Sequence, residues 1–272
     1  MKAAYGIGLA LALGAGSTVI AHAASAADLV PHRAGYVMSL KSANQGSGVV
    51  AVKGVMTYAF ADSCDGWTVE NRTVMTLTQA EGAEIETVWS FVTWESRDGL
   101  RYRFRVSSTR DGEVIEEIQG TARLEGKGKG GKVQLVKPEK ATLALPKGTL
   151  FPTEHTAVLI DRARAGDKIV SRTVYDGASL DSPHLVNALV GAAFKAGENG
   201  LGPLADNALL KRASWRSQMA FFPSGSKESV PTYEVALRLF DNGIAQDVEQ
   251  DFGGFSVRAK LDKIERLPKP DC

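Results

Sequence analysis

The chain has 272 residues, 44% of them hydrophobic, with 32 Lys and Arg against 31 Asp and Glu. That length supports a sizeable core. A formal charge of +1 offers none of the basic excess that a nucleic-acid backbone demands, so no nucleic-acid partner is expected.

Residues 1–26 read as an export signal. Lys2 precedes an uncharged run rich in Ala, Leu and Gly that lasts until Asp28, and Ala21-His22-Ala23 and Ala24-Ser25-Ala26 both fit a signal-peptidase site. Cleavage after Ala26 is preferred, because Ala27 and Asp28 then open a polar mature chain. The alternative is an uncleaved anchor, for which the Gly-broken run is short against the about 20 apolar residues of a spanning helix. No later stretch approaches that length, so the mature chain is expected to carry no transmembrane segment. Residues 27–272, without a low-complexity linker or short repeat, are expected to form a single domain.

Two cysteines remain, Cys64 and the terminal Cys272. In an exported chain such a pair is read first as a disulfide, with free thiols or an intermolecular link as alternatives. They are too few for a zinc site, and no Cys-x-x-Cys motif occurs. Their bond would close nearly the whole mature chain, a loop to which the chain-entropy account assigns about 5 kcal/mol at most.

From Gly35 to Leu145 the pattern is strand after strand. Trp67, Val69, Met75 and Leu77 alternate with Thr68, Glu70, Arg72 and Thr76. Tyr102, Phe104 and Val106 alternate with Arg101, Arg103 and Arg105, which predicts a basic outer face. Val114, Ile118, Ala122 and Leu124 share the next apolar face. Asp65-Gly66, Glu81-Gly82, Asp98-Gly99 and Asp111-Gly112 are hairpin-turn signals between these runs, so a meander of long antiparallel hairpins is expected. Gly126–Lys132, with its alternating Gly and Lys, lacks the Ser or Thr and the helix that must follow a phosphate-binding loop, and reads as a hairpin tip.

Two short helices are expected to interrupt the sheet. The first begins at Pro152-Thr153-Glu154-His155 with Thr153 as N-cap and ends at Gly166; the second runs from Pro183 to about Phe194. Strands then return: Tyr233 to Leu239, followed by a hairpin turn at Asp241-Asn242-Gly243, and later Phe255 to Leu261.

No catalytic constellation emerges. His32, His155 and His184 are scattered without metal-ligand spacing, and His155 is expected to cap or pack. Ser224-Gly225-Ser226-Lys227 matches Ser-x-x-Lys but lies in a loop, with no Lys-Thr-Gly strand to complete a penicillin-binding site. No cofactor or metal is expected. Two features remain as binding surfaces. The Arg101, Arg103 and Arg105 row suits phosphate or carboxylate, unless Glu113, Glu116 and Glu117 on the next strand balance it. Trp89 and Trp94 have opposite parity, so one of them turns away from the main core, toward a lipid groove or toward the helices.

Four segments together carry a resemblance: Leu29-Val-Pro-His32-Arg-Ala-Gly-Tyr36, Cys64-Asp-Gly-Trp67, Phe151-Pro-Thr-Glu-His155 and the terminal Leu267-Pro-Lys-Pro-Asp-Cys272. The chain resembles the cell envelope integrity EipB family of alphaproteobacteria over essentially its whole mature length. The resemblance implies a periplasmic protein, a mainly β fold whose long antiparallel strands wind into a β-spiral or incompletely closed barrel-like sheet, and a disulfide between the positions of Cys64 and Cys272. It implies an envelope-maintenance role with no enzymatic activity. The expected function is therefore a non-enzymatic periplasmic factor that binds another envelope component, a protein or a lipid. A lipid or lipoprotein carrier with an apolar cavity and a cell-wall hydrolase are the alternatives.

Overall fold

The computed structural model describes residues 27–198, 202–225 and 229–272. The expected export signal, residues 1–26, lies outside them, as do Ser226 and Lys227 of the Ser-x-x-Lys match. The strands are β1 (His32–Ala43), β2 (Val49–Asp62), β3 (Gly66–Gln79), β4 (Glu84–Ser96), β5 (Arg101–Arg110), β6 (Glu113–Leu124), β7 (Gly131–Lys137), β8 (Ala141–Leu145), β9 (Ile169–Val174), β10 (His184–Phe194), β11 (Ser214–Pro223), β12 (Tyr233–Phe240), β13 (Ala245–Asp251) and β14 (Phe255–Arg266). Helix α1 (Pro152–Arg164) joins β8 to β9, and a single 3-10 turn at Gly202–Leu204 precedes β11.

All these strands belong to one sheet, ordered β8-β7-β6-β5-β4-β3-β2-β1-β14-β13-β12-β11-β10-β9. It consists of two antiparallel meanders joined where the first strand pairs with the last, from His32 opposite Arg266 to Ala43 opposite Phe255. The sheet does not close. Its edges are β8 and β9, which do not pair with each other; the connection leaving β8 makes an isolated bridge to the free side of β9, where Leu150 N–H donates to Thr173 O at 2.9 Å and Tyr175 N–H donates to Leu150 O at 3.0 Å. The fold is an open, barrel-like β-spiral.

Period-two patterning explains the two faces. Tyr102, Phe104 and Val106 are buried while Arg101, Arg103 and Arg105 are exposed. At the β5–β6 turn both Asp111 (φ 51°) and Gly112 (φ 84°) adopt positive φ, the geometry a tight two-residue hairpin requires. The Asp65-Gly66 signal differs in detail: Gly66 already opens β3, and the turn is made by Ser63, Cys64 and Asp65. Inside the curve, Leu159, Ile160 and Ala163 of α1 join an apolar cluster with Tyr36, Met38, Phe60, Val190, Leu237 and Val257. A second cluster gathers Tyr102, Phe104, Val106, Ile118 and Val133 around Phe151, whose ring stacks on Tyr102 at 4.9 Å.

Two helix expectations are corrected. The segment expected as a second helix is strand β10, hydrogen-bonded to β9 and β11. Its Val186, Ala188 and Val190 are buried while Leu185 and Leu189 are exposed, so the two-residue period of a sheet overrides the helix propensity of Leu and Ala. In α1, Phe151 and not Thr153 occupies the N-cap, and no side chain of the segment itself caps it. The cap comes from β4: Glu95 accepts from the N–H groups of Thr153 at 2.7 Å and Glu154 at 2.9 Å. The helix ends as expected, with Gly166 at φ 90° and Asp167 N–H donating back to Arg162 O at 3.0 Å.

Glu95 is 2% exposed. Burial pushes its carboxyl up to about 7 against the pull of its two N–H donors. One turn into the helix, burial lowers the His155 imidazole to about 4, and Arg172 adds to that lowering. The two groups work in opposite directions. Glu95 holds its proton more tightly folded than unfolded, so its contribution to stability falls as pH rises from the ordinary 4.5 to about 7. His155 holds its proton less tightly when folded, so its contribution rises from about 4 to the ordinary 6.5. Glu95→Gln removes the falling component, and its unfolding midpoint in denaturant should climb more steeply between pH 5 and 6.5 than that of the wild type. Glu95→Ala should cost about 2 kcal/mol at neutral pH by leaving two helix N–H groups uncapped. Parallel pH profiles for wild type and Glu95→Gln would contradict the assignment.

Candidate functional site

The alternation that turns Glu95 inward turns its neighbour Trp94 outward. There the indole stands in a cleft of about 650 Å³ on the outer face of β4 to β7. Cross-strand register assembles the cleft. Trp94 faces Arg103, Arg103 faces Thr121, and Thr121 faces Gln134. In the adjacent row Arg101 faces Arg123, and Arg123 faces Lys132. Asp65 and Glu125 complete the charged lining.

The aromatic ring organises the cations. Arg103 lies over it with its guanidinium carbon 4.3 Å from the ring centroid, and Arg101 is at 5.4 Å. The ring is itself fixed, because Trp94 Nε1 donates to Ser63 Oγ at 3.1 Å. Gly66 permits this approach: a Cβ there would sit 2.6 Å from Nε1.

Of the expected arginine row, Arg101 and Arg103 enter the cleft and Arg105 does not. Arg105 faces Gln119 and pairs with Glu117 at 3.8 Å, which Lys137 also engages. The expected balance by Glu113, Glu116 and Glu117 therefore reaches only Arg105 within the row. Arg101, Arg103, Arg123 and Lys132 enter no ion pair among the described residues. The contrast with the other half of the sheet is sharp, where Lys41, Arg216 and Arg258 converge on the single carboxylate of Glu249 at 2.7, 3.3 and 2.7 Å. The opposite parity of Trp89 and Trp94 appears as expected, but the outward ring meets guanidinium groups and not an apolar groove; Trp89 packs against the inner cluster.

The wall beside Trp94 is the β2–β3 turn. Cys64 sits there at φ 64°, a conformation uncommon outside glycine, with its N–H donating to Asp62 Oδ1 at 2.9 Å. Its sulfur lies 2.08 Å from that of Cys272, so the C-terminal tail is fastened to the edge of the cleft. Arg97 braces the same turn: it stacks on Trp67 at 3.8 Å, donates to Cys64 O at 3.3 Å and bonds Asp62.

One grouping escapes sequence reading. Asp176, Ser182 and His184 meet, with Ser182 Oγ donating to Asp176 Oδ1 at 2.7 Å and lying 3.5 Å from His184 Nδ1. A nucleophilic triad needs the imidazole between hydroxyl and carboxylate. Here the carboxylate takes the hydroxyl directly and also accepts from Ala178 N–H at 2.9 Å, so the group clamps the loop between β9 and β10. Among the described residues no cluster of His, Cys, Asp and Glu is arranged to hold a metal, and no helix is long and apolar enough to cross a membrane.

An open antiparallel β-spiral holding, among the described residues, one internal α-helix, with its first and last strands paired and a cysteine tether beside a basic cleft, defines the architectural class. The chain belongs to the EipB-like family, whose model matches residues 23–268. It is 35% identical, over 97% of its length and 93% of the relative's, to the cell envelope integrity protein EipB of Brucella abortus strain 2308. It is also similar to the crystal structure of a beta-barrel-like protein of a domain of unknown function, DUF1849, from Brucella abortus, with a TM-score of 0.79 and 34% identity over 89% of this chain and all of that one.

Two outcomes test the site's construction. Protein denatured without reductant should expose no reactive thiol, and Cys64→Ser should lower the unfolding free energy by about 2–4 kcal/mol, because the tether spans 208 residues of the unfolded chain; two labelled thiols would refute the bond. Replacing Arg101, Arg103 and Arg105 together by Ala should shift stability by less than about 1 kcal/mol, since all three are exposed. A variant that unfolds would contradict their placement on the outer face.

Proposed function

We propose that this protein is a non-enzymatic periplasmic factor that maintains the cell envelope by binding another envelope component through the basic cleft. Export by residues 1–26 and a single working unit from residue 27 onward belong to the same reading. The observation that carries it is the convergence of Arg101, Arg103, Arg123 and Lys132 on one wall, with no carboxylate paired to any of them among the described residues. Exposed like charges placed directly opposite one another on neighbouring strands repel, and a fold keeps such an arrangement at a cost in stability. An anionic partner removes that repulsion. The name of the Brucella abortus relative supports the envelope role.

A carrier that shelters acyl chains inside the spiral is the less favoured reading, because Leu159, Ile160 and Ala163 of α1 pack into the apolar interior such a cargo would need. The test uses purified protein immobilised with its disulfide intact and a soluble extract of envelope material. Changing Arg101, Arg103, Arg123 and Lys132 together to Gln should reduce capture at least tenfold, with an unfolding midpoint no lower than that of wild type because cross-strand repulsion is relieved. Capture equal to wild type would remove the cleft from the function.

A further inference from the structure

The geometry points to a phosphorylated saccharide as the ligand of the basic cleft, which we propose as a deepening of the binding reading above and which rests on it.

Charge comes first. Arg101, Arg123 and Lys132 stand side by side on β5, β6 and β7, and neighbouring strands are about 4.8 Å apart, so their attachment points span about 10 Å. Arg103 adds a fourth cation two residues along β5, about 7 Å from Arg101. Such a two-dimensional array suits a compact group with several oxygens. A phosphate monoester offers three acceptor oxygens and a charge near −2, whereas a carboxylate offers two oxygens and a single charge. Arg103 is already oriented by Trp94, and Trp94 by Ser63 and Gly66, so part of the ordering cost is met before the ligand arrives.

The rest of the lining decides what the phosphate is attached to. A volume of about 650 Å³ exceeds what an isolated phosphate fills and falls within the range of pockets for larger organic ligands. The remaining polar side-chain groups are the Thr121 hydroxyl, the Gln134 amide and the carboxylates of Asp65 and Glu125, while Tyr102, Ala122 and Leu124 border the cleft from positions that are buried. The polar groups exchange hydrogen bonds with a hydroxyl-rich body, and the Trp94 ring offers a face on which a sugar ring can stack. The two carboxylates also disfavour a ligand that is negative along its whole length, such as a nucleic acid or a polyphosphate. A sugar ring with the charge gathered at its phosphate meets the cations, the indole and the uncharged polar groups of the wall. Its source is either a soluble sugar phosphate or the headgroup of a glycolipid, since both present the same chemistry.

The test is calorimetric titration of the purified, disulfide-intact protein with a hexosamine phosphate, the free hexosamine and inorganic phosphate, and then with vesicles carrying or lacking a phosphorylated-hexosamine glycolipid. The hexosamine phosphate should bind at least tenfold more tightly than either of its parts. Arg123→Gln and Lys132→Gln should each weaken it at least fivefold without lowering the unfolding midpoint. Tighter binding to the glycolipid vesicles than to the soluble compound supports the proposal with a lipid headgroup as source, and no preference for them supports it with a soluble one. Equal affinity for inorganic phosphate and the hexosamine phosphate would overturn it, leaving an oxyanion site. If the hexosamine phosphate does not bind while the four-fold Gln variant still loses envelope capture, the saccharide assignment fails and the cleft remains the binding face. If that variant captures envelope material normally, the binding reading itself falls.

Discussion

The pairing of β1 with β14 is the constraint on which the architecture depends. Each meander alone would present a long unpaired edge at its innermost strand, a row of exposed N–H and C=O groups. Pairing His32–Ala43 with Phe255–Arg266 removes both edges and makes one continuous sheet. The pairing is of maximal sequence separation, so its loop-closure cost falls on nearly the whole chain. The cysteine pair acts at the same place: the tail leaving β14 runs past the start of β1, where Leu267 N–H donates to Pro31 O at 3.0 Å, before reaching Cys64 in the β2–β3 turn. What packing begins at the seam, the tether completes.

The outer cleft and the inner core are two faces of one strand. On β4, Thr93 and Glu95 turn inward and Trp94 turns outward. Glu95 fixes the start of α1, and the helix fills the concave side of the spiral. Trp94 fixes Arg103 and is held in turn by the cysteine-bearing β2–β3 turn. A disturbance at Cys64, at the helix start or at the cleft therefore bears on the same short run of backbone.

Much of the fold is legible in the sequence because strand periodicity is a local property. The exposure of Arg101, Arg103 and Arg105 and the burial of Tyr102, Phe104 and Val106 follow from alternation alone. The cleft is legible only in part. That Arg123 and Lys132 stand beside Arg101 depends on cross-strand register through the hairpin at Gly126–Gly130 and on an irregularity between Ser108 and Thr109 in the β5–β6 ladder, neither of which a period in one strand encodes. The helix cap lies 58 residues from Thr153 in the chain, so local capping rules pass over Glu95. In β10, the run of Leu, Ala and Val has the composition of a helix, and only its two flanking strands decide otherwise.

The electrostatic organisation differs between the two halves of the sheet. Around Glu249 three cations surround one carboxylate, which secures β1, β11, β13 and β14. Around Trp94 four cations enter no ion pair among the described residues, and on the proposed reading an anionic partner supplies the counter-charge. The most direct measurement is photocrosslinking in living cells, with a photoreactive residue at Gln134 in the cleft and, as control, at Val55 on the exposed outer face of β2. The account predicts a discrete, envelope-derived adduct from Gln134 that is absent from Val55. The same adducts from both positions, or none from Gln134, would contradict it.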